Sequence, residues 1–127
     1  MAQKSKMILM RGLVGAAFVA SAPVLSIFAV AADYAPINCA AAASPAETTI
    51  CKTYALGQDE ARMATLYGVA TSLVAMGQRG DIADAQRQWL KTREACGGNV
   101  ACLGSAYRTR IGELSKVIDA IASRGPF

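Results

Sequence analysis

The segment QRQWLKTREACGGNVACLGSAYRTRIGEL, residues 86–114, has the pattern of a helical hairpin. Its apolar residues recur at steps of three and four on both sides of a Gly-rich centre, which predicts two amphipathic helices joined by a tight loop. Cys96 and Cys102 flank that loop and can clip it shut. The segment also holds the only Trp of the chain and two arginines, Arg93 and Arg110, on the apolar helix faces. We expect this hairpin to define the fold.

The first 32 residues have the pattern of a secretory signal peptide. Three basic residues precede an uncharged apolar run over residues 12–32, and the run ends in small residues suited to cleavage. The alternative is a retained membrane anchor, because a run of 21 residues can span a bilayer. The many Ala and Gly residues of the run and its Pro23 favour cleavage. We therefore expect a signal peptide at 1–32 and a mature, exported domain at 33–127.

Removal of the signal peptide changes the charge balance of the chain. Three of the 13 basic residues precede the expected cleavage point and all nine acidic residues follow it, which leaves a net charge near +1. No basic run longer than two residues remains in the mature domain. We therefore expect no nucleic-acid partner and, after cleavage, no membrane partner.

Four cysteines, Cys39, Cys51, Cys96 and Cys102, lie in the mature domain. An even number of cysteines in a short exported chain favours two disulfides. We expect Cys39 to pair with Cys51 and Cys96 with Cys102, because these pairings close short loops, although the sequence is also compatible with a crossed arrangement. Such staples suit a domain of 95 residues (127 − 32), since a chain of that size buries only a modest core.

Helical periodicity predicts an all-α fold without strands. Ser44, Pro45 and Glu47 form a capping sequence for a short first helix. A connector that contains Gly57 should follow, and Gly77 and Gly80 should break the chain before the third helix. The predicted helical spans are 45–53, 59–76, 82–96 and 100–123. One short and three longer helices of this kind pack as a small antiparallel bundle.

Residues for enzymatic chemistry are scarce in this chain. It has no His, which removes the commonest general base and the commonest zinc ligand. Its cysteines should be oxidised, and its Gly-containing turns match no phosphate-binding loop. We therefore expect no catalytic residue, no metal site and no cofactor, and we do not interpret the protein as an enzyme.

Two arginines fall on apolar helix faces. Arg93 follows Trp89 by four residues, and Arg110 follows Tyr107 by three. A buried guanidinium needs an acid or several carbonyls, so we expect a structural network that fixes the helix register. Its expected members are Glu47, Glu60, Tyr67, Trp89, Arg93, Tyr107 and Arg110, with Glu47 and Glu60 as the partners of the arginines. The alternative is an exposed Arg and Tyr surface that binds a partner.

The loop between the two hairpin helices is a candidate partner-binding element. Its residues Gly97, Gly98, Asn99 and Val100 lie between Cys96 and Cys102. A pre-organised loop binds well because it loses little conformational entropy on binding. The alternative is a covalently reinforced helix turn without a role in binding.

A series of short elements from Cys39 to Leu114 matches a known family in order and spacing. The elements are Cys39, Ala46-Glu47, Ile50-Cys51, Ala61-Arg62-Met63, Leu66-Tyr67, Gln86-Arg87, Trp89-Leu90, Arg93, Cys96, Cys102-Leu103, Tyr107 and Arg110-Ile111. With them the chain resembles the LprI-like lysozyme inhibitor family of small exported bacterial domains. One departure is Asp59-Glu60, where the family tends to have Leu-Asp, so an apolar contact is lost and the acid is one methylene longer.

The resemblance implies an all-helical, disulfide-stapled, periplasmic or secreted domain that in some relatives binds and blocks lysozyme. Lysozyme is accordingly the expected partner. The alternative is a structural or interaction module of the bacterial envelope with another partner, because a fold does not fix a function. Lysozymes are commonly basic, so a domain near +1 would need local acids or an inserted loop to bind one. The candidate acids are Glu47, Asp59, Asp81 and Asp84.

Overall fold

The computed structural model describes residues 34–125, so the expected signal peptide lies outside the described residues. Within this range the chain forms four α-helices and no strand, preceded by a short 3-10 turn at Cys39–Ala41. The helices are α1 (Pro45–Lys52), α2 (Tyr54–Leu73), α3 (Met76–Ala95) and α4 (Val100–Ala122). This confirms the predicted all-α fold of one short and three longer helices. None of the helices in residues 34–125 is both long and apolar enough to cross a membrane.

The start of α1 is the predicted capping box. Ser44 Oγ accepts a hydrogen bond from the Glu47 backbone N–H at 3.0 Å, and the Glu47 carboxylate accepts one from the Ser44 backbone N–H at 3.3 Å. Pro45 occupies the first helical position, where its missing N–H costs nothing. The helix ends at Lys52 because Thr53 is extended, with φ −107° and ψ 108°.

The predicted connector at 54–58 is wrong, because α2 begins directly at Tyr54. Thr53 alone provides the bend between α1 and α2. A Gly inside a helix costs about 1 kcal/mol relative to Ala, but the neighbouring Leu56 is only 2% exposed. Burial of a Leu side chain contributes about 1.5–3 kcal/mol, which offsets the cost of Gly57.

The predicted break at Gly77 and Gly80 is also wrong, since both glycines lie inside α3. The turn comes earlier, at Val74 and Ala75, whose extended backbones separate α2 from α3. Arg79 Nε donates a hydrogen bond to the Thr71 carbonyl oxygen at 2.8 Å, so the first turns of α3 satisfy the end of α2. This contact stabilises the turn at Val74 and Ala75, where the sequence has no Gly or Pro to indicate a break.

The three long helices run alternately up, down and up. A methyl group placed on Gly104 in α4 would lie 3.9 Å from Leu56 in α2, and Tyr107 bonds to Glu60 one turn later in both helices. These two helices are therefore parallel. Trp89 in α3 contacts Ala106, whereas the earlier residue Gln86 contacts the later Arg110, so α3 runs antiparallel to α4.

The hydrophobic core lies along the shared axis of these helices. Its largest fully buried side chains are Tyr107, Ile50, Met63, Leu103 and Leu114. They come from α1, α2 and α4, and Trp89 and Ile82 of α3 close the core from the remaining side. Each such side chain contributes about 1.5–3 kcal/mol on burial. The core thus fixes which residues of α2, α3 and α4 face one another.

Both disulfides have the expected local pairing, Cys39 with Cys51 and Cys96 with Cys102. The second one joins the end of α3 to the first turn of α4. A methyl group on Gly98, in that turn, would lie 3.3 Å from Thr49 Oγ1 of α1. The turn and α1 are therefore neighbours. We call this end of the bundle, with α1 and the 96–102 turn, the disulfide end.

Candidate functional site

Glu60 is the centre of a buried polar cluster. The residue is 5% exposed, and its carboxylate accepts hydrogen bonds from the Tyr34 hydroxyl, from the Ile37 backbone N–H at 3.1 Å and from the Tyr107 hydroxyl at 2.7 Å. Arg93 Nη1 lies 3.8 Å from Glu60 Oε2. We call Glu60, Tyr34, Arg93 and Tyr107 the Glu60 cluster. Three donors and one cation replace the water that the carboxylate loses on burial.

Arg93 connects the Glu60 cluster to the surface and to the aromatic core. Its Nη2 donates to Glu94 Oε1 at 2.8 Å, its Nη1 donates to the Tyr34 hydroxyl oxygen at 3.3 Å, and its guanidinium lies 5.6 Å from the centre of the Trp89 ring. Trp89 Nε1 in turn donates to the Ala106 carbonyl at 2.9 Å, and its ring meets Tyr107 edge-on. The sequence-predicted neighbours Trp89, Arg93 and Tyr107 therefore form one continuous assembly with Glu60.

Tyr34 is the member of the cluster that sequence analysis missed. Residues 34–38, which we call the lead-in, precede Cys39 and show no helical period. Tyr34 and Ile37 both bond to Glu60, and the Tyr34 ring meets Tyr67 edge-on with 5.9 Å between centres. This lead-in therefore packs across α2 and α3. The spacing of an aromatic and an aliphatic residue three positions apart, in an otherwise small and polar segment, was the available signal.

The two tyrosines of the Glu60 cluster have strongly perturbed acidity. Burial, followed by the hydrogen bond to Glu60, raises the pKa of the Tyr34 hydroxyl well above its usual range. The same two causes raise the pKa of the Tyr107 hydroxyl. Both phenols are thereby held in the neutral, proton-donating form that the Glu60 carboxylate requires.

Arg110 forms a second cluster with partners other than those expected. Its Nε donates to Gln86 Oε1 at 2.8 Å, its Nη2 to the Ile82 carbonyl at 3.1 Å and its Nη1 to Glu113 Oε2 at 2.9 Å. Neither Glu47 nor Glu60 contacts it. The acid needed for charge balance lies three residues along the same helix, a spacing at which side chains of one helix meet.

Glu47 has a capping role in the structure. Its carboxylate accepts backbone N–H bonds from Ala43 at 2.9 Å and from Ser44 at 3.3 Å, and these bonds lower the pKa of Glu47. Among the ion pairs within residues 34–125, none includes Glu47. Of the two acids expected to meet arginines, only Glu60 lies within ion-pair distance of one, whereas Arg93 affects Glu47 only by its charge, which contributes to the lowered pKa.

The candidate loop is a tight, braced turn. Gly97 has φ 53°, a left-handed conformation that favours glycine. Asn99 Oδ1 accepts from the Cys102 backbone N–H at 2.9 Å and so caps α4. Gly98, Asn99 and Val100 are exposed, and Val100 has 49% of its surface accessible. The turn therefore presents a small rigid surface at the disulfide end.

Within residues 34–125 every buried side-chain nitrogen and oxygen has a hydrogen-bond partner, and no group of His, Cys, Asp or Glu is arranged to hold a metal ion. The donors around Glu60 are all engaged in hydrogen bonds to its carboxylate. The clusters are suited to fixing the helices and the lead-in relative to one another.

Comparison with known families places this fold. Residues 39–120 match the profile of the family described as "Lysozyme inhibitor LprI". The chain belongs to the LprI family. The matched range covers more than half of the chain and runs from the 3-10 turn almost to the end of α4. The resemblance drawn from the sequence is thereby confirmed, and the family description names an inhibitor of an enzyme.

Two other comparisons gave no relatives. Searches among curated proteins and among solved structures returned no match. The LprI family match and the two disulfides, which are typical of exported proteins, are therefore the findings from which the function is inferred.

Proposed function

We propose that this LprI-family protein is exported from a bacterial cell and there binds and blocks a lysozyme-type muramidase. The observation that carries the proposal is the family match over residues 39–120, which includes α1, α2, α3 and nearly all of α4. Two disulfides and the signal-peptide pattern at 1–32 support an extracytoplasmic location, periplasmic or secreted.

The exposed 98–100 turn is the surface that we assign to the lysozyme contact. It is braced three times, by the Cys96 to Cys102 disulfide, by the Asn99 cap and by the approach of Gly98 to Thr49. A braced turn loses little conformational entropy when a partner binds it. It is also narrow, because Gly97 and Gly98 at its start have no side chains, and a narrow element can enter a cleft.

Isolated surface acids contribute less to this assignment. Asp84 is paired with the exposed Arg87, and Glu47 is used by the α1 cap. Asp81 is exposed near the start of α3, at the opposite end of the bundle from the turn. Binding to a basic enzyme therefore has to depend on shape and local contacts at the disulfide end, because the net charge of the mature domain provides little long-range attraction.

A muramidase assay with the purified, oxidised protein tests this proposal. We expect inhibition of a host-type or a bacterial lysozyme at micromolar concentration or below, and loss of inhibition in Val100→Arg, which adds bulk and positive charge to the turn. Val69→Arg is the matched control, since Val69 is 38% exposed on α2 away from the turn. If a correctly oxidised protein inhibits neither enzyme, the proposal fails, and an envelope interaction module with another partner becomes the better hypothesis.

A further inference from the structure

A groove with a volume of 640 Å³ lies between α3 and α4, on the side away from α2. Trp89 and Ala106 form its floor, and the Cys96 to Cys102 disulfide closes one end. Its edges carry polar side chains, among them Gln88 and Thr109. An apolar floor with a polar rim is the anatomy of a protein interaction surface.

The groove is a fixed feature of the fold. Small side chains, Ala85 on α3 and Ser105 and Ala106 on α4, line it and leave the space between the helices unfilled. Trp89 cannot swing out to fill this space without losing its bond to the Ala106 carbonyl and its edge contact with Tyr107. The groove is therefore pre-formed, which lowers the entropic cost of binding in it.

The groove has a single acidic side chain in its lining. Among the described residues that line it, one is acidic, Glu113, and none is basic. The Glu113 side chain is 54% exposed, whereas Arg110, which bonds to its Oε2, is 4% exposed. Arg110 occupies Glu113 Oε2 from the buried side, and the exposed remainder of the carboxylate lines the groove, where it can accept a further donor. Such a surface favours a cationic side chain.

The groove is continuous with the turn assigned to lysozyme. Cys96 and Cys102 line the groove and also bound the 97–101 turn. An enzyme seated on Gly98, Asn99 and Val100 would therefore extend over the neighbouring groove. Lysozymes are commonly basic, so such an enzyme offers Lys and Arg side chains to an acidic group at the groove.

We propose that the α3–α4 groove is the second half of the lysozyme-binding surface and receives a segment of the enzyme that carries a Lys or Arg side chain. The apolar stem of that side chain lies on Trp89 and the Cys96 to Cys102 disulfide, and its charged head reaches Glu113. This inference rests on the proposed function. It adds a docking site for a cationic segment to the contact at the turn.

Variants that fill or recharge the groove test the inference. The dissociation constant for the lysozyme that wild type inhibits is measured by calorimetry, together with inhibition and thermal melting. Thr109→Trp fills the groove and should weaken binding about tenfold or more. Thr65→Trp is the matched control, because Thr65 is equally an exposed helical threonine and lies on α2 outside the groove. It should bind like wild type.

Two variants of opposite charge at one exposed position keep the test valid if Thr109→Trp fails to fold. Gln88→Lys places a cation in the groove and should weaken binding several-fold, whereas Gln88→Glu should strengthen it, with both differences shrinking at high salt. Gln78→Lys, exposed at the far end of α3, is the control for added charge. If wild type binds and folded groove variants bind equally well, the groove inference is overturned and the proposed function stands. If wild type does not bind lysozyme, both are overturned.

Discussion

Arg93 Nη1 lies 3.8 Å from Glu60 Oε2, with the two side chains only 5% and 7% exposed. The pair joins α3 to α2, and the Tyr107 hydroxyl attaches α4 to the same carboxylate at 2.7 Å. A single carboxylate of α2 therefore contacts both other long helices and, through Tyr34, the lead-in. Mispairing of the helices would leave this charge buried without partners, and we therefore propose that the cluster selects one register.

The first prediction concerns the order of stability losses in this cluster. Glu60→Ala should lower the free energy of unfolding by about 3–5 kcal/mol, because it leaves two buried hydroxyls and part of a guanidinium without their acceptor. Arg93→Ala should cost less, since the Glu60 carboxylate keeps three donors from Tyr34, Ile37 and Tyr107. Urea denaturation of both variants measures the two losses.

The control for this prediction is an exposed ion pair. Asp84 and Arg87 have side chains 67% and 56% exposed, so Asp84→Ala should change the unfolding free energy by less than about 1 kcal/mol. A loss for Glu60→Ala as small as that control would mean that the Glu60 cluster is not a structural network. Unchanged stability together with lost lysozyme binding in Arg93→Ala would instead assign this arginine to the partner surface.

A second prediction concerns alkaline stability. Burial and the bond to Glu60 raise the pKa of Tyr34 and Tyr107 in the folded state, whereas phenols of the unfolded chain ionise near pH 10. Above about pH 10 the unfolded state therefore binds fewer protons, and the stability that these hydroxyls contribute is lost as the pH rises. The urea concentration at the midpoint of unfolding should be lower at about pH 11 than at about pH 9.

Removal of both hydroxyls isolates their share of this effect. Tyr34→Phe/Tyr107→Phe should be less stable than wild type at neutral pH and should lose less further stability at alkaline pH. In wild type, the phenolate absorbance of Tyr34 and Tyr107 should appear only when the protein unfolds. A double variant whose midpoint falls as steeply as that of wild type would contradict the prediction.

Helix content and disulfide pairing could be predicted from the sequence because their signals are local. The Ser44 to Glu47 capping box, the short loop between Cys96 and Cys102 and the three-and-four periodicity of α4 each depend on residues close in the chain. The same locality explains the errors. Gly57, Gly77 and Gly80 resemble breaks in sequence, but tertiary contacts such as Arg79 with Thr71 hold the helices around them.

The Glu60 cluster was only partly predictable for the opposite reason. Glu60 and Tyr107 are 47 residues apart, and Arg93 and Tyr34 are 59 apart. Helical faces suggested that Arg93 and Arg110 are buried, but they could not tell which acid meets which arginine. The Arg110 cluster shows this, since a neutral residue, Gln86, takes the place expected for a carboxylate and bridges Arg110 to Met63 Sδ.

The third prediction concerns the α1 cap at acid pH. Two backbone N–H bonds lower the pKa of Glu47, so the cap contributes stability above the unfolded-state value near 4.5 and loses it as the pH falls through the lower folded value. Glu47→Gln keeps an acceptor for the cap but removes the negative charge at the helix N-terminus, so it should cost about 0.3–1 kcal/mol at neutral pH and show less acid sensitivity than wild type. Urea midpoints at pH 7 and at about pH 3 test this. Equal acid sensitivity of the two proteins would show that Glu47 is not the titrating cap.

The last prediction separates the two disulfides by their effects. Cys39 and Cys51 are 12 residues apart and Cys96 and Cys102 are six apart, so loop-closure entropy gives about 3 and about 2 kcal/mol of stabilisation respectively. The Cys39→Ser/Cys51→Ser variant should therefore lose more stability than the Cys96→Ser/Cys102→Ser variant.

Lysozyme inhibition should show the opposite ranking, with the larger loss in Cys96→Ser/Cys102→Ser, because the second bridge braces the 98–100 turn and closes the α3–α4 groove. Melting and muramidase assays on both variants, at a temperature where each is folded, measure the two rankings. If inhibition follows stability in both variants, the second bridge acts only through folding, and the turn is not the part of the surface that grips the enzyme.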